Sequence, residues 1–595
     1  MAPRKEVTLS LLTFLILVVV ALGLAYSYRF QGLELRPMHT DEAILGMKLA
    51  ETWNTGHFTY DPKDFHGPAL HQVSLLWSKL AGWGDPTTWT EANLRMVTVM
   101  CSMALLLVTL LFADALGRYG TAIAMLLMAS SPMMVFYSRY FIMEMLLVLL
   151  IALTLGCFWR YSQGGTRLWL VLGGCALGFQ HATKETFILN VGAAVVGWLV
   201  ARSLIGEFEP RKASSFSIGP ARKKGRPARP WLWVALPAVF ISVAAFSNGF
   251  KDWQAVGDSF LTYLHYLERS GGSGHEKPWH YYISLIFWRK DTLIWTEALI
   301  GGLALIGMIY AFIGDFKNTG RQAFLVFLSV YSLVLLMGYS VLSYKTPWSI
   351  LSAQHAFILL AGLGAGALWS AMPGAFMRWV YNILLGLGIL HLCNQSLGLT
   401  GTHPNPQLEY SADPRNPYAY SHTQKSLLKL LAEVNTYVGD QGDTKTIQVI
   451  SRDSGWPLPW YWRNWKKVGY QDRVPENLDA DVIVVDGEFY DQVKARINAA
   501  NYTEHYPYGL RPGIILSVLL RKAPAPAPVP AVPPPAASPA PTPTPAPADT
   551  SPAKPAPETE AAVPPPPPEG TLSQPPSFSP SLPNLPGGLV PQPQL

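Results

Sequence analysis

TLSLLTFLILVVVALGLAY, residues 8–26, is an apolar segment without a charged residue. A helix needs about 20 apolar residues to cross a hydrocarbon core of about 30 Å, so this segment is long enough to span a bilayer. In the whole chain of 595 residues, 50% are hydrophobic, 14% are charged, and the mean hydropathy is +0.19. This balance is typical of a membrane protein, and we expect lipid to surround most of the chain.

Similar apolar windows recur over residues 1–400 and predict an all-α polytopic membrane domain with about eleven transmembrane helices. The predicted spans are residues 8–26, 94–116, 121–137, 142–159, 168–180, 186–201, 231–248, 293–313, 322–342, 348–371 and 379–399. The first span could instead be a cleaved signal peptide, because it is short and ends among the small residues Ala21, Gly23 and Ala25.

Basic residues in short loops indicate the orientation, since Lys and Arg favour the cytoplasmic side. Arg4 and Lys5 precede the first span, and the loop 202–229 contains eight further basic residues. Six predicted spans separate these two regions, so both fall on the inner side. We therefore expect a multi-pass protein of the bacterial inner (cytoplasmic) membrane, with its acidic first loop and everything after residue 401 outside the cytoplasm.

Two further regions follow the membrane domain. Residues 401–522 have the composition of a small extracytoplasmic α/β domain, with a helical pattern near 424–437 and strand-like runs at 446–450 and 481–485. Its aromatic stretch WPLPWYWR, residues 456–463, could face an acceptor or form the core of this domain. Residues 523–595 are rich in Pro and Ala, cannot bury a core, and are predicted to be a disordered tail.

The net charge and the positions of the cysteines argue against nucleic-acid binding, a disulfide framework and a zinc site. The net charge of +6 does not predict nucleic-acid binding, because many of the basic residues lie in short loops between apolar runs. Cys101, Cys157, Cys175 and Cys393 show no metal-ligand spacing. His39, Asp41, Glu42, His57 and His66 are plausible ligands of a divalent ion, but their spacing matches no compact ligand signature.

The most informative polar motif is HTDEA, residues 39–43, just after the first span. On a helix, Asp41 and Glu42 would point about 100° apart, so the two carboxylates are expected to have different roles. One could accept a proton from an attacking hydroxyl while its neighbour orients a substrate or a cation. The alternative is a helix N-cap followed by a solvated acid.

The same loop continues with GHFTYDP at residues 56–62 and FHGP at residues 65–68. The order His-x-Asp-Glu-Ala, Gly-x-Phe/Tyr-x-Tyr-Asp-Pro and His-Gly-Pro resembles the flippase-activity-associated membrane proteins. These are relatives of the protein O-mannosyltransferases and lipid A aminoarabinose transferases within the GT-C glycosyltransferase superfamily. The resemblance covers roughly residues 8–522 and implies a transmembrane domain of GT-C type.

The resemblance also implies the site. In GT-C enzymes an acidic residue of the first outer loop, here Asp41, acts as a base or as an acceptor-orienting group towards a sugar carried on a polyprenyl phosphate. Glu42 completes the catalytic pair. The expected substrate-binding residues are His39, His66, Arg139, Glu144, Lys184, Glu185 and Lys345. Lys184 is expected to face the lipid phosphate, because a leaving phosphate needs cations at low water activity. Alternatively, Lys184 snorkels to the interface or pairs with Glu185, and Lys345 is an interfacial anchor.

The leading hypothesis is therefore an inverting membrane glycosyltransferase that uses a polyprenyl-phosphate sugar and an unidentified glycan, lipid or protein acceptor. The nearest relatives use sugar monophosphate donors, which implies no cofactor and no required metal. The alternatives are a protein that assists the flipping of lipid-linked sugars and a non-catalytic scaffold.

Overall fold

The computed structural model of the protein describes residues 9–63, 66–206, 208, 229–269, 276–290, 294–314, 316, 318–452 and 455–522. The predicted tail, residues 523–595, and most of the basic loop 202–229 lie outside these residues. The described part of residues 9–400 is almost entirely helical. Its helices are α1 (Leu11–Arg29), α2 (Thr40–Thr55), α3 (Ala69–Leu80), α4 (Glu91–Val108), α5 (Ala113–Ser130), α6 (Pro132–Ser138), α7 (Glu144–Ser162), α8 (Arg167–His181), α9 (Phe187–Leu204), α10 (Leu232–Phe246), α11 (Gln254–Arg269), α12 (Tyr281–Phe287), α13 (Ala298–Ile313), α14 (Thr319–Val341), α15 (Leu351–Ala371) and α16 (Gly374–Leu397). A short antiparallel pair, β1 (Arg289–Lys290) and β2 (Ile294–Trp295), precedes α13.

Within the described residues, seven helical segments are long and apolar enough to cross a membrane. They are Leu11–Arg29, Glu91–Ser130, Glu144–Ser162, Phe187–Leu204, Thr319–Val341, Pro347–Ala371 and Gly374–Leu397. Two shorter apolar helices, α10 and α13, add to them. The prediction of a multi-pass membrane protein is confirmed, whereas the predicted count of eleven spans is not.

Glu91–Ser130 is one segment of 40 residues, but Gly117 interrupts it with a φ of 76°. Glycine adopts this backbone conformation without strain, whereas a residue with a side chain adopts it only at an energetic cost. The predicted spans 94–116 and 121–137 lie on either side of this break.

The helices differ in how much protein surrounds them. The segment containing α15 is 89% buried, whereas α16 is only 11% buried, which leaves most of α16 to face lipid. Helices α13 and α15 approach so closely that a Cβ atom built on Gly364 would lie 2.0 Å from the carbonyl oxygen of Leu303. Glycine therefore allows the tight packing at the centre of the bundle.

Residues 426–521 form the predicted α/β module. Its elements are α17 (Ser426–Val438), β3 (Ile447–Ile450), α18 (Leu458–Tyr461), β4 (Val468–Gln471), β5 (Val482–Asp486), α19 (Tyr490–Arg496), β6 (Tyr502–Arg511) and β7 (Ile514–Arg521). The strand order is β4-β3-β5-β7-β6, with β3 parallel to β4 and β5, and β7 antiparallel to β5 and β6. Helix α17 buries Leu427, Leu430 and Val434 against this sheet, as its helical periodicity predicts.

The module is joined by buried polar contacts to the end of the bundle at which α2 begins. The Met38 amide donates to the Tyr461 hydroxyl at 2.8 Å, and the Thr423 hydroxyl donates to the Met38 carbonyl at 2.7 Å. The aromatic stretch 456–463 divides between two cores, because Trp460 belongs to the core of the bundle and Trp462 to the core of the module.

A buried carboxylate reinforces this connection. Glu297, at the start of α13, accepts hydrogen bonds from the hydroxyls of Ser131 and Tyr418, the Met133 amide and the Gln354 side chain at 2.6–3.1 Å. Tyr418 belongs to the segment after the last bundle helix, so this carboxylate ties that segment to three bundle elements.

Candidate functional site

The start of α2 holds the acid pair in place. The amide of Asp41 donates to Nδ1 of His39 at 3.0 Å, which caps the first turn. Burial lowers the pKa of His39 to about 3, so the ring is neutral and its Nε2 donates to the Tyr420 carbonyl at 3.1 Å. The ring therefore connects the helix that carries Asp41 to the segment that leads into the module.

Glu42 is completely buried, and its carboxylate accepts four hydrogen bonds. Arg95 donates to its two oxygens at 2.8 and 2.6 Å, and the Phe141 and His39 amides donate at 2.9 and 3.1 Å. Burial alone would raise the pKa of Glu42, but the Arg95 and Arg36 guanidinium groups lower it to about 2. This geometry makes Glu42 an anchor that fixes α2 against α4 and the start of α7.

Replacing Glu42 with Gln is expected to destabilise the protein by about 3 kcal/mol, because Arg95 then remains buried without a counter-charge. The measurement is thermal unfolding in detergent. Glu51→Gln is the matched control, since Glu51 lies on the same helix with a half-exposed side chain that pairs with Lys48. It should cost less than about 1 kcal/mol, and equal losses for the two variants would contradict the anchoring role.

Asp41 has a different environment. Its side chain is 15% exposed, and its nearest ionisable partner is Nδ1 of His39 at 3.7 Å. Within the described residues, no donor forms a hydrogen bond with the carboxylate oxygens. Burial and the nearby Glu144 carboxylate raise the pKa of Asp41 to about 7, although Lys184 and Arg511 oppose this shift. A partly exposed carboxylate with a pKa near neutrality suits a general base.

Lys184, in the connection between α8 and α9, interacts electrostatically with Asp41. Its ammonium group donates to the carboxylate of Glu144, the first residue of α7. Burial opposes the charged form, but the Glu144 carboxylate raises the pKa of Lys184 above its usual value. A small cavity adjoins this pair and is lined by Tyr339, Trp348, Ser349 and Ser352 among others. A buried cation is thus held close enough to Asp41 to favour its ionised form.

His66 and Glu185 form a second pair next to it, with 2.7 Å between Nδ1 and Oε2. Burial favours the neutral form of Glu185, but the His66 ring lowers the pKa of that carboxyl. The structure thus pairs Lys184 with Glu144, whereas the sequence left open a pair between Lys184 and Glu185.

Arg139 and Lys345 bond to backbone carbonyls. The Arg139 guanidinium donates to the carbonyl oxygens of Tyr28, Arg29, Gln31, Gly32 and Thr400 at 2.6–3.2 Å. The Lys345 ammonium donates to the carbonyl oxygens of Leu342 and, at 3.1 Å, Lys277. Trp348, three residues after Lys345, reaches the ring of His39 with 6.3 Å between centroids. The YKTPW motif therefore contributes an aromatic wall to the site.

Sequence reasoning missed several partners of these residues. Arg95 lies inside a predicted span, and a charge in an apolar segment is a signal that could have indicated a buried partner. Arg511 comes from the end of β6 and donates through Nη1 to the Thr40 hydroxyl at 3.1 Å. No motif marks this arginine in the sequence, because 471 positions separate it from Thr40.

A larger cavity lies below the Lys184 pair, within the membrane-spanning part of the bundle. It measures about 510 Å³ and is bounded by α7, α8, α9 and α14. Its lining is mainly apolar, with Leu155, Ala194 and Phe327 as examples. Gln180 lines the cavity and accepts the Lys184 amide at 3.3 Å through its carbonyl, so the cavity begins about one turn from Lys184.

Within the described residues, no group of three His, Cys, Asp or Glu side chains could hold a metal ion. That no metal is required stays a prediction.

Comparison with known proteins identifies the fold. Residues 71–244 match the family model of the dolichyl-phosphate-mannose-protein mannosyltransferases, PMT. The crystal structure of ArnT from Cupriavidus metallidurans bound to undecaprenyl phosphate aligns with 13% identity and a TM-score of 0.54, over 86% of this chain and 98% of ArnT. The apo structure of ArnT from Cupriavidus metallidurans aligns with 13% identity and a TM-score of 0.51, over 85% of this chain and 97% of ArnT. No curated protein sequence matches the chain. The expected resemblance to the GT-C superfamily is confirmed.

Proposed function

We propose, from the GT-C fold and the environment of Asp41, that the protein is a membrane glycosyltransferase acting on a polyprenyl-phosphate sugar. The observation that carries this proposal is the juxtaposition of a partly exposed carboxylate of pKa about 7 with a buried lysine, at the end of an apolar cavity. A reaction between a hydroxyl and a lipid-linked sugar phosphate needs these three parts: a base, a cation and a place for the lipid.

In the proposed mechanism, Asp41 takes the proton of the acceptor hydroxyl. The oxygen then attacks the anomeric carbon from the face opposite the phosphate, the bond between this carbon and the phosphate oxygen breaks, and the configuration inverts. Lys184 exchanges part of its contact with Glu144 for the departing phosphate. Glu42 and His39 position Asp41, and His66 with Glu185 holds the loop beside Lys184. Arg139 and Lys345 stabilise the surrounding loops through their carbonyl contacts, and either could also approach the phosphate.

The cavity below Lys184 supports a lipid donor. Its mainly apolar lining suits isoprene units, and it begins next to the lysine that would hold the phosphate. Undecaprenyl phosphate, the ligand of the ArnT structure, belongs to this class of lipid.

Filling the cavity with Ala194→Phe is expected to raise the KM for a long-chain donor about tenfold, because about two methylene groups lose their apolar contacts at about 0.8 kcal/mol each. A donor with a short, water-soluble chain should be used equally well by the variant and the wild type. Val196→Phe is the matched control, because Val196 lies on α9 with 41% of its surface exposed and does not line the cavity. Equal effects on the long and short donors would contradict the proposed lipid site.

We also propose the number of spans, the division into domains and the orientation in the membrane. The eleven spans would be α1, α4, α5, α7, α8, α9, α10, α13, α14, α15 and α16. The proposed division is a membrane domain at residues 1–400, a small domain at 401–522 and a tail at 523–595. With the N-terminus on the cytoplasmic side of a bacterial inner membrane, Asp41 and the module would lie on the outer side.

The first test is turnover of a panel of polyprenyl-phosphate sugars by the purified full-length protein, with release of polyprenyl phosphate as the readout. Turnover that requires Asp41 would establish the glycosyltransferase and identify its donor. Absence of turnover with every donor and acceptor would contradict the proposal.

A second candidate function is assistance in flipping lipid-linked sugars. The observation that favours it is the extent of the cavity, which reaches Ser162 and Arg202 at the ends of α7 and α9 away from Asp41. Donor binding without turnover, together with faster flipping of a fluorescent lipid-linked sugar in vesicles, would favour this function.

A further inference from the structure

The C-terminal module places an arginine against the helix that carries Asp41. Arg511 is the last residue of β6, and its Nη1 donates to the Thr40 hydroxyl at 3.1 Å. Its Nη2 donates to the Trp456 carbonyl at 3.3 Å, which fixes the guanidinium from the other side. Thr40 directly precedes Asp41 in the first turn of α2, so this contact brings a charge from the module to the acid.

The position of Arg511 depends on how the module is joined to the bundle. Tyr461 bonds to the Met38 amide at 2.8 Å, directly before the start of α2. Arg463 donates to the Trp89 carbonyl at 2.6 Å and its guanidinium stacks on Trp460 at 3.9 Å. These contacts hold the end of β6 over α2, so Arg511 has a defined place relative to Asp41.

Groups of both signs surround Asp41. The negative charges are Glu144 at the start of α7 and Glu42 on α2 itself, and the neutral His39 ring caps the same turn. The phenols of Tyr140 and Tyr420 also interact electrostatically with Asp41. Two cations favour its ionised form, namely Lys184 from the connection between α8 and α9 and Arg511 from the module.

A bound donor would change the balance of negative and positive charge around Asp41. The donor phosphate would take up the charge of Lys184 and would add negative charge beside Asp41. Of the two cations, Arg511 would then remain to favour a carboxylate at position 41, and a base is useful only in that form.

We propose that Arg511 is a positioning residue, supplied by the C-terminal module, that keeps Asp41 ionised until it accepts the proton of the acceptor hydroxyl. The catalytic site is then completed by two parts of the chain, the outer loop of the membrane domain and the tip of the β6–β7 hairpin. The role in transfer rests on the proposed function, whereas the electrostatic coupling between Arg511 and Asp41 does not.

The test measures protonation of Asp41 directly, without substrate. Infrared titration of the full-length protein in detergent follows the protonated carboxyl band, and the band that Asp41→Asn removes belongs to Asp41. In Arg511→Gln this band should titrate at a pH about one unit higher than in the wild type, since a cation has been removed from its surroundings. Arg511→Lys keeps the charge and should titrate within a few tenths of a pH unit of the wild type.

Arg496→Gln is the matched control, because it removes an exposed guanidinium of the same module, which donates to the Glu476 carbonyl and takes no part in the contacts with the bundle described above. Its Asp41 band should titrate as in the wild type. An unchanged midpoint in Arg511→Gln would overturn the proposal, and so would an equal upward change in Arg511→Lys. If the titration behaves as expected but no donor is turned over, the coupling stands and the proposed transferase function fails.

Discussion

Asp41→Asn is expected to lower kcat for sugar transfer about 10³-fold, because the amide cannot accept the proton of the acceptor hydroxyl. Asn has nearly the same shape as Asp, and no donor within the described residues hydrogen-bonds to the Asp41 carboxylate. The substitution therefore leaves the surrounding contacts intact, and donor binding should stay within about twofold of the wild type. The measurements are single-turnover transfer rates and donor binding by calorimetry in detergent.

Asp61→Asn is the matched control for this change. Asp61 lies in the connection between α2 and α3, where its carboxylate accepts a hydrogen bond from the Lys63 amide at 2.8 Å. We expect near-normal rates for this variant. Normal transfer by Asp41→Asn would remove the proposed base.

The pH profile of the wild type gives an independent check of the same role. The pKa of Asp41 is raised to about 7, first by burial and then by Glu144. Only the ionised form can act as a base, so kcat/KM should rise as the pH increases through about 7 and should fall below it. A flat profile between pH 5 and pH 8 would contradict this role.

Lys184→Gln is expected to lower kcat about 10²-fold or more, because it removes the cation that stabilises the leaving phosphate. The same change leaves Glu144 without its ion-pair partner beside Asp41, which further favours the protonated acid. Donor binding should weaken as well, since the phosphate is charged before and after transfer. The readouts are kcat, the donor dissociation constant and the unfolding temperature.

The double variant Lys184→Gln, Glu144→Gln separates the charge effect from misfolding. It removes both members of the ion pair, so it should regain the thermal stability of the wild type but not its activity. Lys48→Gln is the control for loss of a largely buried lysine, because Lys48 lies on α2 and its ammonium group pairs with Glu51. Full recovery of activity in the double variant would assign Lys184 a structural role only.

Local patterns in the sequence predicted the elements of the fold. The apolar segments and the helix α17 are visible because hydrophobic side chains repeat over a few residues. The number of spans was harder to confirm, since α8, α10 and α13 have only 15, 15 and 16 residues and are short for a membrane crossing.

The candidate site was only partly predictable. Asp41 and Lys184 stand in motifs, so the sequence marks them, and the structure brings them together. The sequence pattern predicted Glu42 as the second member of a catalytic pair with Asp41. No neighbouring residue indicates that the Glu42 carboxylate accepts hydrogen bonds from Arg95, 53 positions away. Arg139 likewise lies in a recognisable cluster, but its five carbonyl contacts come from distant turns that a motif does not show. Long-range partners, rather than residue types, decide which charged groups remain available to a ligand.

The buried carboxylate of Glu297 limits where the chain can be truncated without loss of stability. Composition changes near residue 400, but Tyr418 donates to Glu297, and Trp460 packs in the core of the bundle. A chain ending at residue 400 would also leave the Met38 amide without the Tyr461 hydroxyl that accepts its hydrogen bond. The change of composition near residue 400 therefore does not divide the chain into two parts that fold independently. Within the described residues, the bundle and the module share a core and exchange buried hydrogen bonds, so a truncation that preserves the membrane domain has to end after residue 522.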